Sequence, residues 1–249
     1  MDSMWVSSGF SPGGFEWEGG ETINFATGSL HEAVIGPPNY KSVWWLEKAI
    51  EASRRVCRIK MVNGSATGFV ISDDILITNN HVFGDEGDAR SAQLQFDYRM
   101  LSDGNAAIVD EWECDPDDMF KTNPALDYSI VRVKKKNGNN IGDVRGSFNL
   151  RHGHSVSRNQ RVNIIQHPQG RFQEIAFRDN QVKLIAPDYV QYLTDTDYGS
   201  SGSPALDDFF NVVALHNQRV PDPSNLQRWY RNQGYRIEAI LQDAGSLIP

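Results

Sequence analysis

Along most of this chain apolar residues alternate with polar ones or gather in short runs, and turn residues separate the runs. Val56 to Val62, Thr67 to Ser72, Ile75 to Thr78, Gln93 to Tyr98 and Tyr128 to Val133 read as strands. The breaks between and after them are Asn63-Gly64, Asp73-Asp74, Asp103-Gly104-Asn105 and Asn137-Gly138-Asn139-Asn140. A polar stretch from Asn137 to Asn159 then bridges to a second series: Val162 to Gln166, Gln173 to Phe177, Gln181 to Ile185, Val190 to Thr194 and Val212 to His216. The pattern predicts two antiparallel β units of similar size. Helical spacing is confined to two places. From Ser42 to Val56, Ser42 can cap, Trp45, Leu46, Ala49, Ile50 and Ser53 share a face, and Glu51 stands four residues before Arg55. From Tyr235 to Ala244, Ile237, Ile240 and Leu241 fit a short terminal helix entered from a strand. Residues 1–41 sustain no period and read as an irregular extension, either a flexible tail or a segment that packs on or regulates the domain, and its Trp and Phe content favours packing.

A chain of 249 residues suits one all-β catalytic unit. The formal charge of -8 argues against a general affinity for phosphate backbones, so no nucleic-acid partner is expected. No apolar run approaches the roughly 18 to 20 residues that span a bilayer, and no basic leader precedes an apolar core. The reading is a cytoplasmic chain with no membrane partner. Cys57 and Cys114, the two cysteines, suit a reducing compartment rather than a disulfide framework.

The chemistry concentrates at Asp195-Thr196-Asp197-Tyr198-Gly199-Ser200-Ser201-Gly202-Ser203-Pro204. A serine between glycines on a tight loop exposes a hydroxyl beside backbone donors, which makes Ser201 the candidate nucleophile. Among six histidines, His81 ends the apolar run Ile75-Leu76-Ile77-Thr78 and is the candidate base. Asp127, immediately before the run Tyr128-Ser129-Ile130-Val131, is the candidate acceptor that fixes the tautomer of the base. Weaker candidates have bland explanations. His152-Gly153-His154 lies in a polar loop without further ligands, Asp115, Asp117 and Asp118 lack calcium-loop spacing, and His167 in Gln166-His167-Pro168-Gln169-Gly170 reads as structural. No metal or cofactor is expected.

The order His81, Asp127, Ser201 with these flanks resembles the chymotrypsin-like (trypsin-fold) serine peptidases over roughly residues 45 to 245. The chain looks closest to glutamyl endopeptidases, HtrA-type proteases and trypsin-like domains of bacterial cytosolic and defence-associated proteins. The resemblance implies an all-β fold, a double six-stranded antiparallel β-barrel flanked by an N-terminal and a C-terminal helix. The peptidase domain would span 42–249, with a first barrel at about 56–136 and a second, with the terminal helix, at about 160–249. It also implies an oxyanion hole from the backbone N–H groups of Gly199 and Ser201. Secreted members carry an Asp just before the nucleophile that pairs with a new N-terminus; here that residue is Ser200, so control is expected from the extension, an upstream activating protease or a regulatory partner.

Three readings of substrate preference remain. Counting back from Ser201, Asp195 falls where trypsin carries the carboxylate that receives Lys or Arg, and the count leans that way. Thr196 and His216 match the pair that receives a carboxylate in glutamyl endopeptidases, with Arg219 nearby. Alternatively Asp195 only holds its loop. Gly234 resembles the family's pocket-wall glycine. The expected activity is serine endopeptidase action on a dedicated protein target, as in bacterial antiviral defence. The alternatives are an acidic-residue-specific endopeptidase and a non-catalytic peptide-binding module.

Overall fold

The computed structural model describes residues 40–150 and 154–248, with only the backbone of 226–229; the N-terminal extension and His152 lie outside this range. Residues Val43–Pro249 make up one compact unit. Helix α1 (Trp44–Ser53) leads into strands β1 (Val56–Met61), β2 (Gly64–Val70) and β3 (Ile75–Thr78), helix α2 (Glu86–Ser91), and strands β4 (Gln93–Phe96), β5 (Asp110–Glu113), β6 (Phe120–Asn123) and β7 (Tyr128–Arg132). Helix α3 (Ile141–Arg145) lies in the bridge. The second half comprises β8 (Asn163–Gln166), β9 (Glu174–Ala176), β10 (Val182–Ile185), β11 (Tyr189–Tyr192), β12 (Pro204–Leu206), β13 (Val212–Asp222) and β14 (Asn225–Arg236), and helix α4 (Ile237–Ala244) closes the chain.

Each half is an antiparallel sheet of seven strands, ordered β5-β4-β1-β2-β3-β7-β6 and β10-β11-β14-β13-β12-β8-β9. The expected six strands are the closed part of each. In the first, a bridge between Cys114 and Val133 joins the ends of β5 and β7, with the Lys134 N–H on the Glu113 carbonyl at 2.9 Å. In the second, a bridge between Arg161 and Gln181 joins the approaches to β8 and β10. β6 and β9 are therefore additions, each hairpinned to a closing strand. Closure removes the open edges that would otherwise expose unpaired backbone groups.

The long apolar runs are explained by where their strands lie. Leu76 and Val131 point into the first barrel with Ile59, Leu94 and Phe96. Their neighbours Ile75, Ile77, Tyr128 and Ile130 point the other way, into a core shared with Ile165, Leu206, Leu215, Ile237 and Ile240 of the second half. Strands covered on both faces lose polar alternation. A third cluster, including Val162, Ile164, Val190 and Val213, fills the second barrel.

Two local expectations are corrected. Ser42 does not cap α1: Val43 occupies that position and no side chain bonds the first turn. The apolar face is also narrower than the spacing implied. Trp45 and Ala52 are buried, Trp45 against Phe210 at 5.0 Å, but Leu46 and Ile50 are 58% and 63% exposed, because α1 rests on the core along its Trp45–Ala49–Ala52 edge. Cys57 and Cys114 are free thiols buried in the same core; burial pushes Cys57 well up and Cys114 to about 12. Neither is a thiolate near neutrality.

Candidate active site

β3 and β7 pair with Thr78 opposite Ser129, so the turn after β3 and the residues before β7 meet at one end of the first barrel. His81 sits on that turn. Asp127 precedes β7 in a left-handed conformation (φ 44°), which turns its side chain back along the strand pair. Its Oδ1 accepts from the His81 backbone N–H at 3.0 Å, and its Oδ2 lies 2.9 Å from His81 Nδ1. A carboxylate can only accept, so Nδ1 carries the proton and the neutral ring presents Nε2 as a base. The Asp127 carbonyl accepts from Asn79 Nδ2 at 2.9 Å, and Asn123 Oδ1 accepts from the N–H groups of Ala125 and Leu126. Asn80 donates to Thr122 Oγ1 at 2.7 Å. The acid and the base are thus held by the same polar scaffold. The Asp127 side chain is 15% exposed and that of His81 48%, an arrangement with a covered acceptor and an accessible ring.

Ser201 lies in the loop between β11 and β12. The Thr67 N–H on β2 donates to the Ser201 carbonyl at 2.9 Å, and the Gly202 N–H donates to the His216 carbonyl at 3.0 Å. Gly202 has φ +84°, and a Cβ there would lie 2.1 Å from the Thr67 carbonyl and 2.3 Å from Thr78 Oγ1. Only glycine permits so close an approach, which presses the loop against the strand end three residues before His81. Ser201 Oγ is hydrogen-bonded to the Asn217 carbonyl at 3.5 Å, not to His81.

Gly199 is left-handed (φ +88°), with the position of a Cβ blocked by the His167 carbonyl at 2.6 Å. Among the described residues, neither the Gly199 N–H nor the Ser201 N–H donates to any protein acceptor. Ser200 between them is buried; its N–H donates to the Asp197 carbonyl and its hydroxyl accepts from the Asp197 N–H.

The four specificity candidates do not converge. His216 is buried, with Nδ1 2.8 Å from the Tyr192 hydroxyl, and loss of hydration holds it down to about 4. Gly234 pairs with both His216 and Val190, and a Cβ there would meet the Leu215 carbonyl at 2.8 Å and the Tyr192 hydroxyl at 3.1 Å. Its lack of a side chain keeps Tyr192 on His216. Thr196 is half-buried. Asp195 stands apart: its side chain is exposed, and its recorded bond is a carbonyl accepting from Gln166 Nε2 at 3.0 Å. Arg219 stacks over Tyr198 at 4.7 Å and donates to its hydroxyl.

Of the weaker candidates, Asp117 and Asp118 pair with Arg90 and Arg132, and His154 lines a cleft with Lys48 and Arg55, remote from His81. His167 is buried and donates from Nδ1 to the Arg171 carbonyl at 3.1 Å. Thr67, Asn79, Tyr192 and Asn217 belong to the site but carry no motif of their own. The one signal was Thr67-Gly68 opening a strand.

The model of the trypsin-like peptidase domain matches residues 66–215. An uncharacterised protein of Sinorhizobium fredii, y4fB, is 28% identical over 88% of this chain and 40% of its own length. A protein of Plasmopara viticola named secreted RxLR effector protein 73 is 32% identical over 84% of this chain and 56% of its own. The chain thus spans about half the length of these curated relatives. Among solved structures, an inactive form of Rv3671c from M. tuberculosis superposes with TM-score 0.57 at 16% identity over 81% of this chain and 92% of that one. A Glu endopeptidase gives 0.56 at 18% over 77% and 88%, and Deg5 0.56 at 15% over 79% and 92%. These structural likenesses show the chymotrypsin-like fold.

Proposed function

The chain belongs to the trypsin-like peptidase family, and from that membership we propose that it is a serine endopeptidase acting through Ser201, His81 and Asp127. The observation that carries the reading is the bond between His81 Nδ1 and Asp127 beside a serine loop whose two N–H donors are unspent. Ser201 Oγ turns from the Asn217 carbonyl toward His81 Nε2, gives up its proton there and attacks the substrate carbonyl. The N–H groups of Gly199 and Ser201 receive the oxyanion, and each is worth about 2.7 to 4 kcal/mol in such a site. Collapse of the tetrahedral adduct breaks the C–N bond, and the proton on His81 leaves with the amine. Water, deprotonated by His81, then attacks the acyl carbon; its C–O bond to Ser201 breaks, and the proton on His81 returns to Ser201 Oγ. Asp127 keeps the tautomer and stabilises the imidazolium.

For the residue before the scissile bond, the acidic reading is the one that side-chain placement favours. An exposed Asp195 is a poor receptor for Lys or Arg, since a charge in water gains little from pairing. Thr196 and Arg219 offer donors instead, while His216 is buried with Nδ1 on the Tyr192 hydroxyl and can act only from behind them. The proposed target is a dedicated protein, met in the cytoplasm in a bacterial defence pathway. Among the described residues no helix is long and apolar enough to cross a membrane.

The test is labelling by an active-site-directed fluorophosphonate together with hydrolysis of a denatured protein. Both should occur with the wild-type chain and vanish in Ser201→Ala. Hydrolysis that survives in that variant refutes the assignment.

A further inference from the structure

Ser200 carries no charge, so the ion pair that orders the oxyanion loop in secreted relatives has no counterpart at that position. Yet the two oxyanion donors are already unspent and fixed in direction. A planar trans peptide places C=O and N–H on opposite sides, so holding one carbonyl aims the next N–H the other way. The Tyr198 carbonyl accepts from the Gln169 N–H, which leaves the Gly199 N–H pointing away from the His167–Gly170 turn. The Ser200 carbonyl accepts from the Ser203 N–H at 3.0 Å, which does the same for the Ser201 N–H. The peptide between these two is fixed through the Gly199 carbonyl, and its donor comes from the other barrel: Thr67 Oγ1, at 2.8 Å.

Thr67 is fully buried, and each of its polar groups is engaged. Its hydroxyl accepts from the His167 N–H at 3.1 Å while donating to Gly199. Its own N–H holds the Ser201 carbonyl at 2.9 Å, and its carbonyl accepts from Thr78 Oγ1 at 2.8 Å, on the strand that leads to His81. One residue therefore ties the base's strand and the nucleophile through its backbone, and the oxyanion loop and the turn beneath it through its hydroxyl. Gln169 reinforces the same loop from outside. Its left-handed backbone (φ 53°) is unfavourable for a side-chain-bearing residue and is held while its side chain donates to Asp197 Oδ2 at 2.6 Å.

We infer that Thr67 is a positioning residue for the oxyanion hole, holding Gly199 and Ser201 in their donating orientation by a hydrogen bond from the first barrel. The inference rests on the proposed peptidase reading. Thr67→Val keeps the shape and removes the hydroxyl, leaving the Gly199 carbonyl and the His167 N–H buried without a partner. The expected loss in kcat is about 10- to 100-fold, below the 10²- to 10³-fold of losing a donor outright. KM for a peptide substrate should stay within about twofold, because the loop binds the transition state rather than the ground state. Affinity for a peptide aldehyde, whose adduct with Ser201 carries the oxyanion, should fall in parallel, while affinity for the product peptide should not. Thr67→Ser, which restores the hydroxyl, should recover kcat to within about threefold of wild type. A merely structural role would lower thermal stability without this split and without rescue by serine. An unchanged kcat or aldehyde affinity in Thr67→Val, with wild type active, overturns the inference alone; a wild type that neither takes fluorophosphonate nor cleaves peptides overturns the peptidase reading. Should Thr67→Val fail to fold, Thr67→Ala decides, because it removes the same hydroxyl from Gly199 without adding bulk. It should show the same loss in kcat and in aldehyde affinity at unchanged KM, and no loss would overturn the inference.

Discussion

Acidification is expected to weaken this fold before its carboxylates titrate. His167 and His216 are buried as neutral rings, each held down to about 4 from an ordinary 6.5. Lost hydration is the main cause. Arg58 adds to it at His167 and His81 at His216, while the carbonyls of Arg171 and Gln233 oppose it. In the unfolded chain these rings take up protons from about pH 6.5 downward, but in the folded chain only near pH 4. Across that window the unfolded state binds more protons, so stability is complete above pH 6.5 and falls as pH falls toward 4. At pH 5 each ring withholds about 2 kcal/mol, and the pair about 4, from a stability typically of 5 to 15 kcal/mol. For a domain of this size that is a drop in Tm of roughly 8 to 16 °C. Asp110 leaves the window clean: although burial works to raise it, Lys136, Trp112 and Arg145 draw it to about 2, so its contribution persists below pH 4. The assay is thermal unfolding at steps from pH 7.5 to 5, on wild type and on His167→Asn and His216→Asn. Each variant loses some stability at pH 7.5 but should show about half the wild-type slope. A flat wild-type profile, or variants that keep the full slope, would refute the argument.

Two further outcomes follow from the site. Gly202→Ala forces a Cβ to within 2.1 Å of the Thr67 carbonyl at φ +84°, so the loop must withdraw from β2; fluorophosphonate labelling should slow by about 100-fold or more, and a rate within threefold of wild type would show that the loop tolerates displacement. Profiling on a peptide library should place Glu or Asp before the scissile bond. A preference for Lys or Arg would return Asp195 to the role its exposed position argues against.

What the sequence made legible was whatever depends on short-range pattern. Alternation or a short apolar run found β1, β3, β4, β7, β8, β10 and β11 to within about two residues, because each carries enough apolar residues to show burial. β5 (Asp110–Glu113) and β6 (Phe120–Asn123) escaped it: in β5 Trp112 alone is buried, and β6 is half-buried throughout, so neither shows a clear alternation. β12, three residues long, and nearly all of β14 escaped it too, as did the far part of β13, since past Asn217 the residues of β13 are no longer buried and backbone pairing alone extends the strand. Helix α3 was hidden in the polar bridge because its signal is a cap, the Asn140 N–H on Asp143 at 3.2 Å, rather than an apolar stripe.

Site chemistry divides along the same line. His81 and Asp127 could be picked out as candidates because each lies beside the end of an apolar run, where the fold aims a side chain, and Ser201 because glycines flank it on a tight loop. Thr67 could not, because its partners are Gly199, 132 residues on, and His167, 100 residues on. Asp195 marks the limit of counting along the chain. Its position relative to Ser201 is sequence information, but whether a carboxylate is enclosed depends on the walls around it, and here the loop turns the side chain to solvent while its carbonyl takes the Gln166 amide. A buried carboxylate and a cationic guest attract strongly only where water is excluded from both. The groups that the fold does cover are set by packing rather than by position along the chain. His216 and Tyr192 are sealed behind Gly234, and a side chain at that glycine would separate them. How β11, β13 and β14 pack there is a property that no count of residues back from the nucleophile can contain.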